Sequence, residues 1–325
     1  MTLLQTGAPA KATDGRDPSA PGLTRLRQWR DSDLLHAFLC SRTAPPTAVF
    51  LAIVLVTVVG APWIAPHAPY DLATLDLLDA QLPPAWLAGG KATYLLGTDE
   101  QGRDVLSAII YGARTSLVVA CMSVLMAATF GTLAGLLSGF VGGLLDGVTM
   151  RIADIQMTIP DIMLALLATG VLHASLPRDL QDHAAPLILV LAIGVSSWPQ
   201  YARVIRASTM AERQKDYVAA ARVTGVHPGR IVFAHILPNI TGPICILATQ
   251  GFASAILAES ALSFIGVGMP VTEPSLGTMI RVGNSYLFAG EWWTCIFPSV
   301  ALCAIVLSIN LLGDWLKDTL NPKLG

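Results

Sequence analysis

The chain has 325 residues, of which 53% are hydrophobic and 13% are charged, and its mean hydropathy is +0.60. Because soluble domains carry about 25% charged residues, this composition predicts a polytopic membrane protein. The net charge of −2 argues against a nucleic-acid partner. The 5 cysteines show no C-x-x-C spacing and the 6 histidines form no H-E-x-x-H motif, so the sequence supports neither a metal site nor a membrane enzyme. No G-x-x-x-x-G-K-[ST] motif occurs, so we expect this chain not to bind ATP in a P-loop.

Residues 1–46 are predicted to form a cytoplasmic tail that is partly disordered, because the segment is rich in Pro, Gly, Ser and Thr. Several arginines cluster just before the first apolar run. That run, residues 47–64, is predicted to be the first transmembrane helix, since about 18 residues at about 1.5 Å each span about 27 Å. Residues 65–113 carry few basic residues for their length, so we expect them on the extracytoplasmic side.

An ordered run of charged residues and glycines precedes the second apolar stretch, and it reads LLGTDEQGRDVLSAIIYGARTSL. Thr98 and Asp99 are predicted to cap a helix that begins near Gln101. Arg103 and Asp104 are predicted to hold that helix to its neighbours through charge-assisted hydrogen bonds. We therefore interpret Asp99, Arg103 and Asp104 as an extracytoplasmic brace for the second span.

Residues 114–313 are predicted to form the core transmembrane domain, which begins with a second span over about 115–138. This span contains two overlapping small-xxx-small pairs, which favour close helix packing in lipid and involve Gly131, Gly135 and Gly139. Arg151 and Asp154 follow at a span boundary. They lie one helical turn apart, so we predict that they pair.

The remaining spans are predicted over about residues 159–172, 186–203, 240–265 and 293–312. Pro199 is expected to kink or end the fourth span. Glu259 is a carboxylate deep in the fifth span, where a charge is expensive. We predict that Glu259 lines a translocation path, with a structural hydrogen bond to a neighbouring helix as the alternative.

Residues 206–239 form a polar and basic insert between two apolar runs, and the excess of Lys and Arg predicts a cytoplasmic location. Two short helices are expected in it. The first covers about residues 212–224 and is closed by Gly225 in the left-handed conformation. Pro228 opens the second helix at its first turn, and Pro238 precedes the next span. The small alanines of the first helix make a shallow knob that suits docking into a cleft on another protein.

The distribution of basic residues predicts the orientation in the membrane. With six spans and both ends inside, the C-terminal tail 314–325 is cytoplasmic. The extracytoplasmic side then holds 5 of the 20 Lys and Arg residues, namely Lys91, Arg103, Arg114, Arg178 and Arg281, and the cytoplasmic side holds the other 15. This three-to-one bias favours the orientation over its inverse.

Two stretches resemble known families. The insert 206–239 resembles the cytoplasmic EAA loop of ABC importer permeases, in which Glu-Ala-Ala is followed after three residues by Gly and then by Leu-Pro; the matching positions are Ala220, Ala221, Gly225, Leu237 and Pro238. Ala219 replaces the Glu of that signature, and His235 replaces an Ile. The run before the second span resembles the L-G-T-D-x-x-G-R-D-V segment of the dipeptide, oligopeptide and nickel permease subfamily.

The resemblance implies an all-α protein with six transmembrane helices and the type I ABC importer permease fold, here the second-type chain of its pair. It implies as partners a second homologous permease, two cytoplasmic ABC ATPase subunits, an extracytoplasmic substrate-binding protein and membrane lipid. It places the protein in the bacterial inner membrane. The chain itself would carry no cofactor and be no enzyme, because ATP and Mg²⁺ are bound by the ATPase subunits.

The resemblance also assigns roles to particular residues. The ATPase-coupling loop would use Asp216, Tyr217, Ala220, Ala221, Gly225 and Pro238. Asp99, Arg103 and Asp104 would act as the brace or would contact the substrate-binding protein, and both options stay open. No residue is expected to be catalytic or to bind a metal.

Short peptides are the commonest substrates of this subfamily, but nickel, glutathione or another small solute would use similar machinery. An ion-driven secondary transporter is an alternative of a different class. It would favour inverted repeats and broken helices, whereas the sequence shows no convincing repeat and such a protein would not need the basic insert. A receptor or scaffold subunit would leave the ordered motifs unexplained.

Overall fold

The computed structural model describes residues 38–70, 76–273 and 275–320. Most of the tail predicted over residues 1–46, and the last residues of the tail predicted over 314–325, lie outside these ranges. Within the described residues the regular structure is helical and no β-strand occurs. The prediction of an all-α protein is confirmed.

The described residues form α-helices joined mostly by short connections, with one longer segment between α2 and α3. In chain order they are α1 (Ala44–Val59), α2 (Ala61–Ile64), α3 (Val105–Val141), α4 (Gly143–Met157), α5 (Asp161–Ser175), α6 (Arg178–Arg213), α7 (Asp216–Val223), α8 (Pro228–Arg230), α9 (Thr241–Ile265), α10 (Leu276–Tyr286) and α11 (Trp293–Leu320). A π-helix, Ile231–Ile236, and a 3-10 helix, Leu237–Ile240, join α8 to α9.

Four helical segments of the described residues are long and apolar enough to cross a membrane, namely Val105–Val141, His183–Arg213, Pro228–Ile265 and Trp293–Thr319. The pair α4 and α5, bent by 95° at its break, adds a fifth span if it crosses as one unit. Helix α1 is apolar but has 16 residues, about 24 Å, which is short of the roughly 30 Å of a bilayer core. The sixth span therefore stays a prediction.

The second span begins earlier than expected, and a different residue caps it. Asp104 is the N-cap of α3, and its carboxylate accepts a hydrogen bond from the Ser107 backbone N–H at 3.0 Å. The prediction that Thr98 and Asp99 cap a helix near Gln101 is wrong. Gly102, with φ of +77°, interrupts any helix at that point, so the chain forms a turn before α3 begins.

Helix α6 does not end at Pro199 and continues to Arg213. It therefore includes the first part of the insert that was predicted to be a loop. Pro199 removes one helical hydrogen bond, but the next turns bury Tyr201 and Ile205 completely or nearly so, at 2% and 0% exposure. Burial of this face outweighs the local cost of the proline.

Helices α3 and α6 touch backbone to backbone. A Cβ built on Gly135 would lie 2.6 Å from the Ala202 carbonyl oxygen, and one on Gly139 would lie 2.8 Å from the Arg206 carbonyl oxygen. Gly131 is as tightly enclosed by the same helix. The predicted role of the small-xxx-small pairs in close helix packing is confirmed.

Helix α4 is tied to α6 by ion pairs near the predicted cytoplasmic side. Asp154 contacts the Arg203 guanidinium at 2.5 Å, so the predicted pairing with Arg151 is wrong. The Asp154 side chain points towards α6, and it does not lie along the surface of α4 towards Arg151. Asp146 accepts two hydrogen bonds from Arg206, at 2.5 and 2.6 Å. Such two-pronged carboxylate contacts fix both distance and orientation.

Candidate coupling elbow and extracytoplasmic brace

The insert after α6 folds into a compact elbow, which we define as Asp216–Ile240. Its first helix, α7, begins four residues later than predicted, because α6 extends to Arg213. Gly225 ends α7 with φ of +76°. The Gly225 N–H donates to Arg222 O and the Val226 N–H donates to Ala221 O, both at 3.0 Å, which is the Schellman arrangement. The left-handed closure predicted for Gly225 is present.

The second half of the elbow starts as predicted but is less regular. Pro228 opens α8, and the His227 Nδ1 accepts a hydrogen bond from the Gly229 N–H at 3.2 Å. The chain then continues as π and 3-10 turns up to α9. Pro238 lies inside the 3-10 segment, and its missing N–H explains why no α-helical ladder runs through it.

One face of the elbow is buried in a hydrophobic cluster, which we call the elbow core. It joins Val218 and Ala221 of α7 to Leu136 of α3 and Ile205 of α6, and it also contains Ile231, Val232, Ile236 and Ile240. Val218 and Ile205 are both 0% exposed. Helix α7 is therefore packed directly against α3 and α6, because close-packed side chains leave little free space between them.

The opposite face of the elbow is exposed. Of the predicted coupling residues, Asp216, Ala220, Gly225 and Pro238 are exposed, Tyr217 is half-buried and Ala221 is buried. Val223, at the end of α7, is 89% exposed. The exposed face thus combines small side chains with an apolar tip.

A polar network holds α7 to its flanks. The Tyr217 hydroxyl donates to Glu212 Oε2 at 2.7 Å, and it accepts from Asn239 Nδ2 at 3.3 Å. Lys215 pairs with the other oxygen of Glu212 at 2.6 Å. Burial raises the pKa of Tyr217 to about 12, and the hydrogen bond to Glu212 acts in the same direction. Glu212 and Asn239 were not predicted as site residues, since neither belongs to the matched signature.

The predicted brace lies in a buried network at the other end of the bundle. The exposed fractions of Asp99, Arg103 and Asp104 are 8%, 5% and 2%. Arg103 Nε donates to Asp99 Oδ2 at 2.6 Å, and Arg103 Nη1 donates to Val271 O at 3.1 Å. These contacts tie the segment before α3 to the loop that follows α9.

A second link joins the same segment to α11. The Trp293 indole N–H donates to Thr98 O at 3.1 Å and is enclosed by the fold. On the more exposed side of the segment, the Asp79 carboxylate pairs with Lys91 and accepts a hydrogen bond from the Tyr94 hydroxyl at 3.1 Å. The hydrogen bond from Lys91 holds the pKa of Asp79 below its usual value.

Glu259 is enclosed within the bundle, at 0% exposure. The Ser263 hydroxyl donates to Glu259 Oε1 at 2.8 Å, and the hydroxyls of Ser116 on α3 and Ser275 before α10 also hydrogen-bond to this carboxyl group. These contacts join three helices. They correspond to the structural alternative for this residue, and the role of Glu259 in a translocation path stays a prediction.

In the described part of the chain, no group of three or more His, Cys, Asp or Glu side chains is placed to hold a metal ion.

The chain is similar in sequence to several permeases of peptide transport systems. The chain is 40% identical over 276 residues to the dipeptide transport system permease protein DppC of Haemophilus influenzae, which covers 85% of this chain and 89% of that protein. It is 39% identical over 308 residues to the di/tripeptide transport system permease protein DppC of Pseudomonas aeruginosa, which covers 95% of both. The dipeptide transport system permease protein DppC of Escherichia coli is 39% identical over 318 residues, covering 97% of this chain and 99% of that one.

Among solved structures, the chain resembles the methionine ABC transporter MetNI in an inward-facing conformation, with a TM-score of 0.52 and 20% identity. The match covers 66% of this chain and 97% of that chain. The fold is therefore that of an ABC transporter permease. Residues 131–325 match the family described as the inner membrane component of binding-protein-dependent transport systems, and the chain belongs to that family.

Proposed function

We propose that this chain is the transmembrane permease subunit of an ATP-driven, binding-protein-dependent importer of di- and oligopeptides, and that it forms half of the translocation pathway. The substrate class is inferred from the sequence identity of 39% with a di/tripeptide permease over 95% of both chains. Identity at that level over the full bundle includes the helices that would face a substrate. The run of charged residues and glycines before α3 resembles the dipeptide, oligopeptide and nickel permease subfamily and agrees with this assignment.

The partners in this proposal are a second homologous permease, two cytoplasmic ABC ATPase subunits and an extracytoplasmic substrate-binding protein. ATP and Mg²⁺ are bound and used by the ATPase subunits, and this chain performs no covalent chemistry. The protein lies in the bacterial inner membrane with both termini in the cytoplasm. The excess of basic residues on the elbow side supports this orientation.

The mechanism is mechanical. ATP binding brings the two ATPase subunits together, and the exposed face of the elbow, with Ala220, Val223 and Gly225, moves with the subunit that holds it. The buried face, with Val218 and Ala221, passes the displacement to α3 and α6. The bundle then exchanges between inward- and outward-facing states. Only contacts that differ between the two states can shift this equilibrium.

At the opposite end, Asp99, Arg103 and Asp104 act as a brace. Arg103 ties the segment before α3 to the loop after α9 through Val271 O, and Asp99 holds the Arg103 guanidinium in place. Asp104 joins the same segment to the start of α3, so this end of the bundle keeps its shape while the elbow moves. A rigid outer end is also what a substrate-binding protein needs in order to dock in one orientation.

The test of the proposed function is uptake by the complete importer in proteoliposomes, with the binding protein outside and ATP inside. We expect uptake of a labelled dipeptide that vanadate blocks and that a protonophore leaves unchanged. Unlabelled dipeptide should compete, whereas Ni²⁺ and glutathione should not. Uptake that depends on an ion gradient without ATP would reject the ATP-driven mechanism, and competition by Ni²⁺ or glutathione alone would reassign the substrate.

A second test addresses the elbow directly, in a background without the native cysteines. Val223→Cys should crosslink to an ATPase subunit, and a thiol reagent that does not cross membranes should not reach it from outside. Phe288→Cys is the matched control, because Phe288 is 96% exposed and lies in the loop before α11 on the predicted outer side. Labelling of Val223→Cys from outside would reverse the orientation.

A further inference from the structure

The ends of three helices meet at one aromatic ring. Phe140 lies one residue before the end of α3, and it packs against the elbow core. The Cζ of Arg213, the last residue of α6, is 5.9 Å from the centroid of the Phe140 ring. The Cζ of Arg222, in the last turn of α7, is 5.5 Å from the same centroid. Both distances are within the roughly 6 Å over which a cation is attracted to a ring.

The two arginines differ from the other basic residues nearby. Arg203, Arg206 and Lys215 each pair with a carboxylate. Within the described ranges, neither Arg213 nor Arg222 lies within salt-bridge distance of an acidic side chain. The ring of Phe140 is thus the attractive partner that the fold provides for both guanidinium groups.

The position of this contact gives it a mechanical consequence. Helices α3 and α6 are already in direct contact through their backbones, as the glycines of α3 show. Helix α7 contacts the elbow core through Val218, Ala221 and the half-buried Tyr217. Its hydrogen bonds through Tyr217 go to Glu212 and Asn239, and neither of these residues is on α3. A directional contact at the last turn of α7 prevents it from sliding along the end of α3.

We propose that Phe140 is a positioning residue for energy coupling, which with Arg213 and Arg222 clamps the elbow helix α7 to the ends of α3 and α6. This inference rests on the proposed function. The clamp makes the three helices move as one body when an ATPase subunit displaces the elbow. Loss of the aromatic face should leave ATP hydrolysis active but should allow α7 to slip, so that fewer peptides are imported per ATP.

The experiment uses the complete importer in proteoliposomes and measures ATP hydrolysis and dipeptide uptake in parallel. Phe140→Leu keeps an apolar side chain but removes the ring, and with it both cation–π contacts. Because one exposed contact represents about a two- to fivefold factor, the number of peptides imported per ATP should fall about five- to thirtyfold. The KM for the dipeptide should not change, because the site that receives the peptide is not altered. Phe140→Tyr keeps the ring and should restore the ratio.

Arg222→Gln provides a second variant on the protein surface, and it closes a double-mutant cycle with Phe140→Leu. If the clamp is the cause, the double variant should lose no more coupling than the worse of the two single variants. Losses that multiply, an unchanged ratio in Phe140→Leu, or equal ratios in Phe140→Leu and Phe140→Tyr would each overturn the proposal.

The crosslink from Val223→Cys separates this proposal from the proposed function. If that variant crosslinks to an ATPase subunit while Phe140→Leu couples normally, the clamp is wrong and the coupling elbow stands. If the crosslink fails with all other subunits assembled, docking of the elbow itself is wrong, and the clamp falls with it.

Discussion

Replacing Gly135 with alanine should push α3 and α6 apart. The new methyl group would lie 2.6 Å from the Ala202 carbonyl oxygen and 2.9 Å from the Arg206 backbone nitrogen. Both atoms belong to the backbone of α6, so the clash cannot be relieved by rotation of a side chain. Gly170 in α5 is the matched control, because a Cβ there would have no heavy atom within 4 Å.

The magnitude follows from two opposing terms. Overpacking of a close contact costs about 1–3 kcal/mol. Alanine in place of glycine in a helix contributes about 1 kcal/mol of stability at either position. Gly135→Ala should therefore destabilise the protein by about 0–2 kcal/mol, and Gly170→Ala should stabilise it by up to about 1 kcal/mol. The difference between the variants, about 1–3 kcal/mol, isolates the packing term, because the helix term cancels.

The assay is reversible unfolding of the purified chain in mixed micelles, followed by the helical circular dichroism signal as denaturing detergent is added. The midpoint should shift to less denaturant for Gly135→Ala and to the same or more denaturant for Gly170→Ala. Equal shifts for the two variants would show that the two helices can separate at no cost, and would refute a stabilising role for the backbone contact at Gly135.

Three further outcomes are expected. Gly225→Val should reduce ATP-driven uptake while membrane insertion is retained, because a φ of +76° costs a branched residue about 1–2 kcal/mol. Gly225→Asn is the control, since Asn tolerates a positive φ. Equal uptake by the two variants would contradict the role of Gly225 in closing α7. Glu259→Ala should lower the free energy of unfolding by about 1–3 kcal/mol, since it leaves buried hydroxyl groups without an acceptor. Glu259→Gln keeps an acceptor oxygen and should cost less stability. Unchanged uptake and assembly in Glu259→Gln would show that the carboxylate is not needed in the translocation path. The pKa of Tyr217 is raised to about 12, so the folded state favours the protonated phenol. The stability that this phenol contributes is complete below about pH 10 and is lost as the pH rises towards 12. The free energy of unfolding of Tyr217→Phe should lack this pH-dependent loss when it is measured over the same range.

The segments that the sequence located best were those with strong local causes. Gly225 closes α7 as predicted, because few residues other than glycine adopt a positive φ at the end of a helix. Gly131, Gly135 and Gly139 pack against a neighbouring helix, because only small residues let two backbones approach. The ordered motifs around residues 95–117 and 206–239 correctly identified the family.

Errors arose where a residue had two partners within reach. Asp99 and Asp104 are both good helix caps, and the choice between them depended on the turn at Gly102. Asp154 had a basic residue one turn away on its own helix, but the packing of α4 against α6 brought Arg203 closer. Local spacing shows which pairs are possible, and only the packed structure selects among them.

From its sequence alone, this protein is determined to be a bundle of apolar helices with a basic elbow, because hydrophobic length and charge distribution act along the chain. Which helix faces are packed was decided by the tertiary structure. In a soluble helix an apolar stripe marks the buried side, but in a membrane the lipid-facing side is apolar as well, so the pattern does not separate the two. The enclosure of Glu259 by hydroxyl groups from three helices, and the meeting of Phe140 with Arg213 and Arg222, therefore appeared only once the helices were placed against one another.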